Sequence, residues 1–294
     1  MGRSQGIAQK ANPTGPITST FGRGQVQFFH STTTWTIPAG VTAVRVRVWG
    51  GGANPYFLSG GKVPSIYRAG AGGGFAIKTV TGLTPGGTVT VTVPAVVATN
   101  GAAGGTCSFG AHVSATGGSA SSSSATGGTG SSGDFNYTGG SSNTDTTLTG
   151  TGGGGVANLF GNGGDGDSTG QTTAFVKGRA SGGGGNASGG VGAREGGGTA
   201  FARGGNTTGV EQTLPESGNL TGSLDLIGVG SGGAGMQTAS TSGPQNGING
   251  GGGGGAGSGQ NSGRGGFPGG GSGSSSIAAT MAMAGASGLI VVEF

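Results

Sequence analysis

The sequence predicts an all-β fold, in which a small antiparallel β-sandwich or jelly-roll-like domain carries a long glycine-rich insertion. Residues 44–49 alternate strictly, with three valines on one face and two arginines on the other. Residues 88–93 alternate threonine with valine, and residues 75–80 form a third segment with a period of two. This period indicates β-strands, whose successive side chains point to opposite faces. Turn signals occur at residues 38–40 and 84–87, and no helical period of convincing length is found.

The N-terminal part of the chain divides into two sections. Residues 1–25 are polar, contain Pro13 and Pro16, and are expected to be extended. They form either an arm that docks onto another protein or a disordered terminus, and both alternatives stay open. Residues 26–116 hold the strand signals described above. We therefore assign this section to a small antiparallel β-domain.

Residues 117–285 form a glycine-rich body of low complexity. The whole chain has 80 glycines among 294 residues, and they recur here in runs interrupted by Ser, Thr, Asn and single aromatic residues. One interpretation is a flexible linker. The other is an ordered stack of extended, threefold polyglycine II helices, which pack closely because no Cβ separates them and which hydrogen-bond laterally through the backbone. The length of the body and its scattered apolar anchors favour order.

The chain ends in a further strand signal at residues 286–294, which include Leu289, Ile290, Val291 and Val292. An apolar terminal strand needs a sheet to join, and the nearest sheet material lies in residues 26–116. The sequence therefore predicts a discontinuous β-domain, made of residues 26–116 and 286–294, with the glycine-rich body inserted before its last strand.

Charge and cysteine content exclude several classes of protein. Only 7% of residues are charged and the net charge is +4. No acidic residue occurs before Asp134, but the basic residues of this section are dispersed, so we expect no nucleic-acid partner. The single Cys107 excludes an intramolecular disulfide. There is no apolar run of membrane-spanning length and no signal peptide, so we expect no membrane insertion and no export through a secretion pathway.

The sequence offers little material for catalysis or cofactor binding. His30 and His112 are too few for a histidine-rich metal site, and Cys107 has no further cysteine nearby. Residues 165–170 resemble the start of an EF-hand loop, but its twelfth position is Val176 rather than glutamate. We therefore expect no metal, no cofactor and no catalytic residues, and a protein that is not an enzyme.

Several motifs occur together in the order found in one known family. They are residues 35–44 (WTIPAGVTAV), 49–52 (WGGG), 72–76 (GGGFA), 83–93 (LTPGGTVTVTV), 104–110 (GGTCSFG) and 288–294 (GLIVVEF). In this order they resemble the glycine-rich tail-fibre proteins of bacteriophages. The glycine-rich body also resembles, in composition, the polyglycine sandwich of certain fibre-tip adhesins.

This resemblance implies a virion component that contacts the host surface. The expected partners are other virion proteins of the tail, baseplate or collar, and a host cell-surface glycan or outer-membrane protein. Such a protein is assembled in the host cytoplasm and displayed on the particle. Because fibres are usually threefold and exposed strand edges favour pairing, we also expect a homotrimer.

Two groups of residues are candidates for these contacts. Aromatic side chains in loops give contact area at low entropic cost, so they are candidates for receptor binding, although each is equally suited to be a core anchor. These candidates are Phe135, Asn136, Tyr137, Phe160, Phe201 and Phe267. The candidates for virion attachment lie in the N-terminal section and are Arg3, Lys10, Pro13, Pro16, Phe21 and Arg23.

Two other functions remain as alternatives. One is a purely structural collar, baseplate or capsid-surface fibre that binds no receptor. The other is an ice-binding or silk-like glycine protein, which the order of the strand motifs and the absence of disulfides disfavour.

Overall fold

The described part of the chain is all-β, as the sequence predicted. The computed structural model describes residues 25–57, 67–121, 125–142, 151–166, 227–228, 246–247, 249–253, 262–274 and 283–294, and these contain strands but no helices. The strands are β1 Val26–Phe29, β2 Thr33–Thr36, β3 Ala43–Trp49, β4 Tyr56–Phe57, β5 Tyr67–Arg68, β6 Phe75–Thr81, β7 Thr88–Thr92, β8 Cys107–Phe109, β9 Val113–Ala115, β10 Gly130–Ser131, β11 Phe135–Tyr137 and β12 Leu289–Glu293.

Ten of these strands form two antiparallel sheets of five strands each. Sheet A has the order β1-β12-β3-β6-β11, and sheet B has the order β10-β9-β8-β7-β2. The strands β4 and β5 form a separate antiparallel pair. The two large sheets enclose a common apolar core, so the domain is a β-sandwich.

The core between the sheets follows from the alternation seen in the sequence. Val44, Val46 and Val48 of β3 are all completely buried in it. Val89 and Val91 of β7 face them from sheet B, while Thr88 and Thr90 point outward into solvent. The alternating segments at residues 44–49, 75–80 and 88–93 are thus found as β3, β6 and β7.

The C-terminal strand lies inside sheet A. It pairs with β3, where Leu289 lies opposite Trp49 and Val292 lies opposite Val46, and on its other side it pairs with β1. The last strand of the chain therefore joins the first strands of the sandwich. Two short strands, β10 and β11, lie beyond residue 116, so both sheets extend into the section that the sequence assigned to the glycine-rich body.

The other face of sheet A carries a second apolar cluster. Trp49 and Phe75 lie side by side in it, with ring centroids 4.9 Å apart. Val156 and Ala157, from the glycine-rich body, are completely buried against this face. The described part of the molecule thus has three layers, which are sheet B, sheet A and glycine-rich segments.

The glycine-rich segments begin where the strands end. At one end of the sandwich, the chain passes directly from a strand into an extended segment, or from such a segment into a strand. This happens at Trp49, Phe75, Cys107, Ala115, Gly130, Tyr137 and Leu289. The tight turns that contain Gly40, Gly82, Gly86 and Gly110 lie at the opposite end.

Hydrogen bonds between these segments repeat every three residues. Along residues 70–74, three successive amides donate to three different neighbouring segments. Amides that are three residues apart donate to the same segment. The pairs are Gly70 to Ser272 and Gly73 to Gly269, Ala71 to Ser119 and Gly74 to Thr116, and Gly72 to Gly140. A repeat of three is the one expected of a polyproline II-type helix, which has three residues per turn and no internal hydrogen bonds. The same repeat links residues 51–54 to residues 102–105.

The close approach of these segments requires glycine. A Cβ atom added to Gly72 would lie 2.1 Å from the carbonyl oxygen of Gly155, and one added to Gly104 would lie 2.0 Å from that of Gly51. Both obstacles are backbone atoms held in hydrogen bonds, so a side-chain rotation cannot relieve the overlap. At these positions glycine therefore allows backbone to pack directly on backbone.

We predict that Gly72→Ala strongly destabilises the protein. The added methyl group must push the backbone of residue 155 away, and we expect a loss of about 3 kcal/mol or more in the free energy of unfolding. The matched control is Gly82→Ala, because Gly82 has open space around it and only its φ of 74° opposes a side chain. That control should lose about 1–2 kcal/mol. Urea unfolding measures both, and equal losses would contradict close backbone packing at residue 72.

Candidate functional site

The outer face of sheet A, which points away from sheet B, is the surface on which most described candidate residues meet. One cross-strand row on this face runs through Phe28, Val291, Arg47, Ile77 and Phe135. The three inner members are buried. The two phenylalanines at the ends are 48% and 59% exposed. The face therefore has a covered centre and an exposed aromatic side chain at each edge.

The centre of this face contains a buried ion pair. The Nε atom of Arg47 lies 2.9 Å from Oε1 of Glu293, and the side chains are only 3% and 11% exposed. The sequence predicted that Arg47 lies on the face of β3 opposite to the valines, and the structure confirms this alternation. That face is nevertheless covered, and β12 supplies the carboxylate there. A buried charge of this kind is tolerated because its partner is fixed beside it.

A turn of the glycine-rich body brings Phe160 to the same face. Residues 158 and 161 form a β-bridge, and the Phe160 amide donates to Oδ1 of Asn158. Leu159 packs against the second apolar cluster, while Phe160 next to it is 44% exposed. Leu159 thus anchors the turn, and Phe160 presents its ring at the surface.

A second turn brings Phe267 to the β1 edge of sheet A. The Phe267 ring lies 5.6 Å from the ring of His30, which follows β1, and it is 43% exposed. The Gly269 amide donates to the carbonyl oxygen of Ser287, just before β12. This hydrogen bond holds the turn beside the sandwich.

The three neighbouring candidates in β11 differ in their contacts. Phe135 is the most exposed of the large apolar side chains that the structure describes. The side-chain amide of Asn136 donates to the carbonyl oxygen of Gly133 (2.9 Å) and accepts from the Gly133 amide (3.0 Å), so it closes a turn. Tyr137 is half-buried and stacks on Phe75 at a centroid distance of 6.4 Å. The structure therefore gives Asn136 and Tyr137 roles in holding the fold.

The remaining candidates lie outside the described residues. Phe201 is one of them, and the predicted attachment residues Arg3, Lys10, Pro13, Pro16, Phe21 and Arg23 are the others. The structure does describe the point where the chain enters the sandwich. The Phe294 amide donates to the carbonyl oxygen of Gln25, so this point lies beside the C-terminus. It is at the turn end of the sandwich, opposite the end where the glycine-rich segments begin.

A loop at residues 94–101 presents apolar side chains that the sequence reasoning missed. Val96 and Val97 are 41% and 57% exposed. The Asn54 side chain donates to the carbonyl oxygens of Val97 and Thr99, which holds the loop against the segment after β3. A signal existed in the sequence, because two adjacent valines after Pro94 break the strict alternation of residues 88–93.

Asn100 fixes the same loop to the small strand pair. Its side chain accepts from the Phe57 amide (2.8 Å) and donates to the Phe57 carbonyl oxygen (2.7 Å). The Gly101 amide donates to the carbonyl oxygen of Pro55. The loop at residues 94–101 is thus an ordered apolar surface on the glycine-rich side of the sandwich.

The one cysteine of the chain is not placed for chemistry. Cys107 is buried in the core between the sheets, so neither solvent nor a ligand reaches its thiol. Burial raises the pKa of its thiol to about 12, so the reactive thiolate does not form at neutral pH. No group of three or more metal-ligating side chains occurs in the described part of the chain.

We predict that the raised pKa of Cys107 makes the protein less stable in alkali. The thiol stays protonated in the folded state up to about pH 12 but ionises from about pH 9 when the chain unfolds, so stability is lost as the pH rises between these values. We expect a loss on the order of 1 kcal/mol per pH unit in that window. Chemical unfolding from pH 8 to 11 measures it. The Cys107→Ala variant is the control and should lack this component, whereas equal slopes would contradict the prediction.

Comparisons with known proteins leave the family open. Among the residues that the structure describes, no helix has the length and apolar character needed to cross a bilayer. No protein-family model matches the chain, and a search of curated proteins finds no significant match.

Proposed function

We propose that this protein is a structural component of a bacteriophage virion, a tail fibre or fibre-tip adhesin that binds the host cell surface. The order of the strand motifs supports it, since they resemble those of glycine-rich tail-fibre proteins. Under this proposal the protein is assembled in the host cytoplasm and displayed on the particle. It carries no catalytic site or cofactor, inserts into no membrane and binds no nucleic acid.

The observation that carries the proposal is the division of the sandwich into two ends. The chain enters at Gln25, beside the C-terminus, whereas the glycine-rich segments leave from the opposite end. A protein attached through its N-terminal section would hold the glycine-rich body away from the particle. Attachment through Arg3, Lys10, Pro13, Pro16, Phe21 and Arg23 fits this orientation.

The exposed aromatic side chains are the proposed receptor contacts. Phe135, Phe160 and Phe267 are each more than 40% exposed and are held by ordered backbone. Rigid aromatic rings give contact area without a large loss of side-chain entropy, and sugars or outer-membrane proteins are suitable ligands. Phe201 is a further proposed receptor contact.

A second candidate function is a purely structural collar, baseplate or capsid-surface fibre. The contacts of Asn136 and Tyr137 favour it, since the Asn136 side chain closes a turn with Gly133 and the Tyr137 ring stacks on Phe75. Under this alternative, the β-sandwich and its assembly matter more than the exposed rings.

We predict that the purified full-length protein binds cells of the host bacterium, and that Phe135→Ser, Phe160→Ser and Phe267→Ser weaken this binding. Removal of one aromatic contact should lower the affinity by roughly tenfold, which corresponds to about 1.4 kcal/mol. Flow cytometry with fluorescently labelled protein measures the affinity. The matched control is Thr90→Ala, which changes an exposed side chain on sheet B and should bind normally.

The possible outcomes test the proposed contacts and both candidate functions. Unchanged binding by all three serine variants would exclude these rings as receptor contacts. If the unmodified protein does not bind host cells but is found in the particle, the purely structural function is correct. If it is absent from the particle, both functions are wrong.

A further inference from the structure

The strand β1 lies at one edge of sheet A in the part of the chain that the structure describes. The Phe294 amide donates to the carbonyl oxygen of Gln25, so Gln25 forms a hydrogen-bonded pair with β12. In an antiparallel ladder such pairs alternate, so Gln27 and Phe29 also turn their backbone groups toward β12. The N–H and C=O groups of Val26 and Phe28 consequently point out of the sheet.

The two sides of the sandwich differ in this respect. On the far side, β11 and β10 follow one another through a short turn, and Thr129 forms a bridge with Thr138. The Gly139 amide also donates to the carbonyl oxygen of Gly128, which closes that side further. Among the described strands, none pairs with the outer side of β1. Within the described residues, the outer side of β1 is therefore an unpaired edge of sheet A.

The strand β1 has no charged side chain, and two of its exposed side chains are apolar. Val26 and Phe28 are 36% and 48% exposed, and His30 and Phe267 extend the same surface with their paired rings. Proteins commonly protect a free edge with lysine, proline or a bulge. The strand Val26–Phe29 and its neighbours Gln25 and His30 contain none of these residues.

We propose that β1 pairs with β1 of a second copy of this chain, antiparallel and about a twofold axis at Phe28. In this register Phe28 lies opposite Phe28 of the partner subunit, and Val26 lies opposite His30 of the partner subunit. Each outward N–H of Val26 and Phe28 then meets an outward C=O, because the outward positions are alternate residues. The contact is isologous and joins two five-stranded sheets into one continuous sheet.

A second copy fits this edge because the strand is complementary to itself. A charged edge would repel its own copy, whereas β1 brings no charge to the contact. The exposed Phe28 ring meets an identical ring, so apolar area is buried on both sides. The resulting dimer differs from the homotrimer expected for a fibre. Two β1 strands that pair about a twofold axis leave neither edge free to bind a third copy.

The test is disulfide trapping with Phe28→Cys in the full-length protein. Directly opposed residues in a hydrogen-bonded pair have Cα atoms about 5.5 Å apart, within the roughly 4.4–6.8 Å that a disulfide spans. The native Cys107 is buried and gives no background. The matched control is Gln27→Cys, which points to the other face and lies opposite Phe29 of the partner subunit. We expect the Phe28→Cys dimer to form roughly tenfold faster under mild oxidation.

Mass measurement in solution provides the second readout. Light scattering should give a dimer for the unmodified protein and a monomer for Phe28→Lys, which places two like charges together on the axis. The control Val97→Lys changes another exposed apolar residue and should stay dimeric. A monomeric or trimeric unmodified protein would overturn the proposal. Equal trapping rates of the two cysteine variants would also overturn it and indicate that another segment or another protein covers β1.

Discussion

The described structure depends on hydrogen bonds between backbones that no Cβ holds apart. The Gly72 amide donates to the carbonyl oxygen of Gly140, and the space where its side chain would lie is filled by the carbonyl oxygen of Gly155. Each such bond contributes only about 1 kcal/mol net, while ordering glycine costs more backbone entropy than ordering any other residue. A glycine-rich body is therefore stable only when nearly every segment is bonded to several neighbours. The three-residue repeat provides those neighbours in different directions.

The sandwich supplies the starting points for this packing. Strands of both sheets continue into glycine-rich segments at one end, so the spacing of the sheets sets the spacing of the first segments. Val156 and Ala157 then bind the body to the outer face of sheet A through the second apolar cluster. The last strand, β12, pairs with both β1 and β3, so the end of the chain completes the sheet that its beginning starts. This arrangement explains how a chain with so few apolar residues has a well-defined core.

Much of the sandwich could be predicted from the sequence, because a strand with one covered face shows a period of two. This period located β3, β6 and β7, and the apolar residues 289–292 located β12. The burial of Arg47 could not be predicted, because Glu293, with which it forms the ion pair, lies at the other end of the chain. At the site, Phe135 was expected in a loop, but it lies in β11, and its exposure follows from the position of that strand at the edge of sheet A. The exposure of Phe28 was missed, since only pairing shows which strand is at an edge.

The described glycine-rich segments are held in place by backbone hydrogen bonds and do not form a flexible linker. Native-state amide hydrogen exchange tests it most directly, because it reads the protection of each amide. We expect the amides of Gly72, Gly140 and Gly154 to exchange as slowly as those of β3 and β12. Exchange of these glycines at the rate of an unstructured chain, while the two strands stay protected, would contradict it.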